Sequence, residues 1–405
     1  MTSRDHRRRL VPTAVIGALL AIGLASSLWA ATASAGTPRG FWGVSAWANP
    51  SATELARIGK GGVRTFRFPF YWGGIETQRG HRDWSLYDQL IGDAARNHVR
   101  ALPAIWGSPS FVASGPNHPP KSSSARKAFA AFIRAALRRY GSKGSFWAQH
   151  RDLPKLPPKG WEVWNEPTID KFYTPTGDAK GYVRLLKLAA KTIRATDHHT
   201  KVVVAGIPNV YGAPAIPFMK KLYKVKGFRG AFDVMNVHPY AANATALLQA
   251  MQSFRDVMAQ NGDSGKPIWI TEVGWASAGP KNQYPLVRSK KGQAKMLSQA
   301  LSAMVEERGG LKLGLLVWFS WRDRPVEQGE DDWWGPHTGL FQVNGKSKPA
   351  WDAFVKVTGG KKGSGRLPAE NPTPSPGTGA PSSSSGSGGS GSPLPPIPPL
   401  PPPPY

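Results

Sequence analysis

The chain has 405 residues, with 52 Lys and Arg against 25 Asp and Glu, a net charge of +27, and no cysteine. That length allows one large core or two modest ones, and the missing cysteine excludes a small module stapled by disulfides. The positive charge suits an anionic cell wall or an acidic polysaccharide, or simply solubility; with no nucleic-acid motif beside it, no nucleic-acid partner is expected.

The first segment reads as a leader. Arg4, Arg7, Arg8 and Arg9 precede an apolar run from Leu10 to about Ala30, and Ala33-Ser34-Ala35 offers a small-residue cleavage site. We read 1–35 as a signal peptide and expect a secreted, extracellular protein, with cell-wall association an extension of that reading. No later run is long and apolar enough to span a bilayer.

Residues 36–358 alternate short apolar runs with helical patterns. Strands are predicted at 41–45, 63–70, 101–106, 161–165, 202–205, 232–237, 268–271 and 313–319. Their hydrophobicity is continuous, as in strands covered on both faces of a parallel sheet. Between them, Phe129, Phe132, Ile133, Ala136, Leu137 and Tyr140 fall on one helical face, and Tyr182 to Ile193 and 292–307 give two more helices. Eight strands interleaved with helices predict an α/β fold, a (β/α)₈ TIM barrel. A doubly wound sheet would carry a glycine-rich phosphate loop; Gly59-Lys60-Gly61 starts one, but Arg64 stands where its third glycine belongs.

The fourth strand runs Trp161-Glu162-Val163-Trp164-Asn165-Glu166-Pro167, and Pro167 should hold Glu166 in extended geometry. An acid at such a strand end, among aromatics, has the surroundings that raise a carboxyl pKa; a salt-bridged surface glutamate is the plain alternative. The seventh strand ends Thr271-Glu272-Val273-Gly274-Trp275. Chemistry on a barrel sits at the C-terminal strand ends, so Glu166 and Glu272 face one another across the mouth. Two carboxylates flanking a cleft are equipped to cleave a glycosidic bond, and a gap of roughly 5–5.5 Å would mean retention of configuration. Arg67 is placed to keep Glu272 ionised, or to pair with Glu162. Trp72, Trp106 and Trp318, at or just beyond strand ends, are candidate platforms for sugar rings. The loop from Arg322 to His337, with Glu327, Glu330, Asp331, Asp332, Trp333 and Trp334, matches no calcium-loop spacing and reads as lining the substrate.

From about 359 the chain turns to Gly, Ser and Pro, and 359–405 reads as a disordered tail.

Over nearly all of 40–358 the sequence resembles the clan A glycoside hydrolases, nearest to families thirty-nine and five. The resemblance implies Glu166 as acid/base, Asn165 as the residue binding the sugar 2-hydroxyl, and Glu272 as nucleophile. It implies a strand-two arginine at Arg67, a strand-six pair near the nucleophile at His238 and Tyr240, and a platform at Trp318. The expected activity is retaining β-glycosidase action on an oligo- or polysaccharide, endo-acting because of the many aromatic candidates, by a monomer without metal or cofactor. An inactive carbohydrate-binding barrel and a wall-bound transglycosylase are the alternatives.

Overall fold

The computed structural model describes residues 37–210, 215–280 and 286–368. The leader and most of the tail lie outside them. Eight parallel strands close into a barrel in sequence order: β1 (Trp42–Ser45), β2 (Thr65–Tyr71), β3 (Arg100–Trp106), β4 (Gly160–Asn165), β5 (Lys201–Pro208), β6 (Met235–His238), β7 (Ile268–Val273) and β8 (Leu313–Phe319). Each predicted strand overlaps an observed one; the sixth starts three residues later than its apolar run.

Alternation along each strand divides the apolar residues between two cores. Leu102, Leu315 and Val317 meet inside the barrel with Trp269 against them, and form its plug. The intervening residues face the helices and join the main core. The helix Ser123–Tyr140 shows how that layer forms. Its first turn is capped by the Ser122 side chain, which accepts from the Ala125 N–H, and its stripe from Phe129 to Tyr140 is buried. Each buried Phe or Leu stabilises the fold by about 1.5–3 kcal/mol.

The folded unit runs past 358. Leu367 is buried, its N–H donates to the Gly345 carbonyl, and the Trp351 indole donates to the Lys362 carbonyl. Composition alone placed 359–368 in the tail, and an apolar residue finding a seat on the barrel is what extends the domain. Among the described residues, no helix is long and apolar enough to cross a membrane.

Candidate active site

Simple alternation would send neighbouring residues of a strand to opposite faces. The two strands carrying the acids both break it. On β4, Trp164 has φ 76° and Glu166 has φ 37°. Such left-handed backbone costs on the order of 1–3 kcal/mol per residue and persists only where its surroundings impose it. It turns Trp164 into the core, where its indole donates to the Phe172 carbonyl, and leaves both Asn165 and Glu166 facing the mouth. Glu166 is therefore not extended, as Pro167 had led us to expect. On β7, the register against β8 slips between Ile270 and Val273, so Thr271 and Glu272 share the space opposite one residue of β8. Two local irregularities thus place two carboxylates at one mouth.

Arg67, inward on β2, ties the site together. Its guanidinium pairs with Glu162 at 3.0 Å, bonds to Glu272, and donates to the Asn165 side-chain oxygen at 2.8 Å. Both partners weighed for it, Glu162 and Glu272, are held at once. Burial would lower its pKa, but the charges of Glu162 and Glu272 raise it, so it stays a cation. Because Arg67 engages the Asn165 oxygen, the amide nitrogen is left to a ligand.

The two acids differ in who faces them. Burial acts to raise the Glu272 pKa, but His238, Arg67 and the Tyr240 hydroxyl, which donates to it at 2.8 Å, outweigh burial and bring it below the ordinary value. For Glu166 burial prevails over the opposing pull of His238 and the pKa is raised. Burial and the Glu272 charge push Tyr240 well up, so it remains a hydroxyl donor. His238 touches the acid/base candidate more closely than the nucleophile: its Nδ1 is 2.7 Å from Glu166 Oε1 and 3.8 Å from Glu272 Oε2. Its Nε2 lies 3.0 Å from the Thr271 hydroxyl, which donates to the Asn236 side-chain oxygen. Thr271 must then accept from Nε2–H, which fixes the ring with Nδ1 turned toward Glu166. Gly206 makes room for the ring, since a Cβ there would lie 2.0 Å from His238 Nε2. Fully buried, His238 positions an acid and presents no surface to a sugar.

One carboxylate oxygen of Glu166, one of Glu272 and a His238 nitrogen lie within 4.8 Å of one another. This grouping has the spacing of metal ligands, but Arg67 already sets a fixed positive charge against Glu272, which disfavours a cation there. Two carboxylates this close can flank a single glycosidic bond.

The aromatic candidates need correction. Leu315 and Val317 point inward, so Trp318 between Val317 and Phe319 points outward; it is fully buried near Trp275 and donates to the Thr338 carbonyl at 3.2 Å. Phe319 takes the mouth position instead. Trp72 lies in the helical layer against Phe129 and Phe132, its indole donating to Glu76 at 2.9 Å, and offers no free face. Trp106, 6% exposed, ends β3 beside Tyr71 and Phe172 near the mouth. Sequence reading missed Trp47, Tyr71 and Phe319. Trp47 packs edge-on to Phe319 at 4.8 Å and to Trp333 at 6.0 Å. Trp333 meets Trp334 at 5.3 Å, and Trp334 meets Tyr240 at 4.6 Å. Arg324 covers the Trp47 ring at 4.8 Å and is forked onto Glu330, which also accepts from the Trp333 indole at 2.8 Å. Burial acts to raise Glu330, but Arg324 and Trp333 outweigh it and bring its pKa down to about 2. The loop that was expected to line the substrate therefore forms, with Trp47 and Phe319, an interlocked wall on the Glu272 side.

Residues 155–327 match the family model of the glycosyl hydrolase catalytic core, a span that includes both acids. The fold is shared with a family 39 glycoside hydrolase of Bacteroides cellulosilyticus (TM-score 0.60, 18% identity), covering 78% of this chain and 63% of that one. It is shared with a monomeric β-xylosidase of Caulobacter crescentus (TM-score 0.57, 18% identity, 80% and 69% covered). A family 5 subfamily 18 protein of Bifidobacterium longum subsp. longum, in complex with Manβ1-4GlcNAc, is similar at TM-score 0.55 and 15% identity, with 81% and 79% covered. This chain thus spans less than two thirds of the length of the family 39 structure. No curated protein matches the sequence.

Proposed function

We propose that this chain is a clan A glycoside hydrolase, a secreted retaining β-glycosidase working by double displacement; the closed parallel barrel and the match of residues 155–327 to a glycosyl hydrolase catalytic core support the reading. The observation that carries the reading is the pair Glu166 and Glu272, held close, with the pKa of the first raised by burial and that of the second lowered by His238, Arg67 and Tyr240. Glu166 gives its proton to the leaving oxygen while the Glu272 carboxylate attacks the anomeric carbon. A glycosyl ester forms on Glu272, and Glu166, now a base, activates the water that hydrolyses it. Asn165 meets the 2-hydroxyl with its free amide nitrogen, and Tyr240 and Arg67 steady Glu272 as its charge is spent and restored.

Attack at a chain end is the form this site supports. Glu166 and Glu272 are only 7% and 9% exposed. The leaving group departs on the Glu166 side, so the sugar being held lies toward Glu272, where Trp47, Trp333 and Trp334 form a wall reaching Tyr240. Internal cleavage drew its support from aromatic platforms, and Trp72 and Trp318 are buried in packing. Sugars of the xyloside, glucoside, mannoside and galactoside type are the first to try, since the structural neighbours carry those names.

Hydrolysis of 4-nitrophenyl β-glycosides of these sugars tests the reading. Turnover by the native chain, falling at least about 10³-fold in Glu272→Gln, is expected of a lost nucleophile. No turnover on any of them or on a polysaccharide panel would refute it and favour a binding barrel. Products longer than the substrate would indicate transglycosylation.

A further inference from the structure

Away from the catalytic mouth, the outer helical layer carries a cleft of about 420 Å³ lined by Arg82, Trp84, Arg134, Arg138 and Arg139. Two of these arginines serve the fold. Arg82 is forked onto Glu76, and Arg139 onto Asp88. The other two do not. Arg134 and Arg138 are exposed, and neither guanidinium has a hydrogen bond, ion pair or ring contact among the described residues. They stand four apart on the helix Ser123–Tyr140, which carries five Lys and Arg and no acid. Like charges at this spacing repel by about 0.2–0.5 kcal/mol. The helix C-terminus compensates for Arg138 in the last turn, but gives Arg134 much less.

Trp84 forms part of the wall. It is half-buried, with its ring stacked on Phe70 and Phe132, both buried inside the layer. The cleft therefore sets a rigid indole among guanidinium forks, two of them unpaired. Guanidinium groups match carboxylates in two-point geometry, and an indole fits the apolar side of a pyranose ring. Polyol phosphates offer the charge without the ring.

We propose that this cleft is a carbohydrate-binding site separate from the active site, which holds a carboxylate-bearing polysaccharide through Arg134, Arg138 and Trp84. It would tether the enzyme to an acidic glycan surface while the barrel mouth stays free. The surplus of Lys and Arg over Asp and Glu brings such a polymer in, and the cleft decides where it stays.

The test is binding of the full chain to polygalacturonate at low ionic strength, against dextran and inorganic polyphosphate. The site predicts retention by polygalacturonate, not by dextran, and about tenfold or greater weakening in the double variant Arg134→Gln/Arg138→Gln. A charge-matched control, Lys220→Gln/Lys221→Gln, removes two exposed cations from the helix Ala215–Tyr223 and should change binding less than about twofold. Thermal unfolding of both variants should match the native chain, showing that any loss is local. The proposal is overturned if polygalacturonate is not retained, if the two double variants lose affinity equally, or if polyphosphate binds as tightly and loses as much from the arginine changes. Failure of glycoside hydrolysis would leave these binding results standing, so the two readings fail separately.

Discussion

Glu166 and Glu272 are the same residue type at equivalent ends of two strands, and their neighbours separate their chemistry. Glu272 faces Arg67, His238 and a tyrosine hydroxyl, whereas the closest partner of Glu166 is the His238 imidazole at 2.7 Å. The sign follows for pH dependence. The proposed mechanism needs Glu272 ionised and Glu166 protonated in the free enzyme. The Glu272 pKa lies below 4.5 and the Glu166 pKa above it, so kcat/KM should rise through the first and fall through the second. A pH profile with aryl glycosides checks this, and Tyr240→Phe, which removes a bond to Glu272, should move the acid limb upward. Arg67→Met should be severe in another way: it strands Glu162 and Glu272 without a counter-charge in a dry site, a loss of about 3–5 kcal/mol. Adding Glu162→Gln should restore part of the thermal stability but not the activity, because Glu272 would still lack its cation.

The element that shapes the mouth is the loop after β8. Its wall of Trp333 and Trp334 is pinned from below by Lys348, which is fully buried and donates to Ser277 at 2.8 Å and the His337 carbonyl at 3.0 Å, and pairs with Asp323 at 2.6 Å. Burial disfavours both charges, lowering the Lys348 pKa and raising that of Asp323, so each depends on the other. Lys348→Met should lower stability by about 3–5 kcal/mol, read by chemical denaturation. Asp323→Asn in the same chain should recover part of it by removing the stranded charge. The loop also explains a misreading. Trp318 and Phe319 are adjacent aromatics at the end of one strand, and only the register of Leu315 and Val317 inside the barrel says which one reaches the mouth. Trp318 is then a brace for the loop, through the Thr338 carbonyl. Trp47 and Tyr71 gave no sequence signal, because what gathers them is the closure of β1 onto β8 and the pairing of β2 with β3.

For the molecule as a whole, the barrel was legible because its eight apolar runs are separated by strong helical stripes, and parallel strands need burial on both faces. The polar core of the site was legible for the opposite reason: Arg67, Asn165, Glu166, Tyr240 and Glu272 interrupt or end apolar runs, where a charge or amide needs a purpose. Less visible were the backbone turns at Trp164 and Glu166 and the slip on β7, which depend on contacts made across the barrel. Without them, alternation would have set Asn165 and Glu166, or Thr271 and Glu272, on opposite faces. The central claim is that Glu272 becomes covalently bonded to sugar during turnover. A 2-deoxy-2-fluoro glycosyl fluoride of the sugar that the enzyme accepts slows both steps, and departure of fluoride lets the ester accumulate. Mass spectrometry of the digested protein should then find one fluorosugar on the peptide carrying Glu272. A label on Glu166, or no label together with release of the inverted anomer from a normal substrate, would contradict the account.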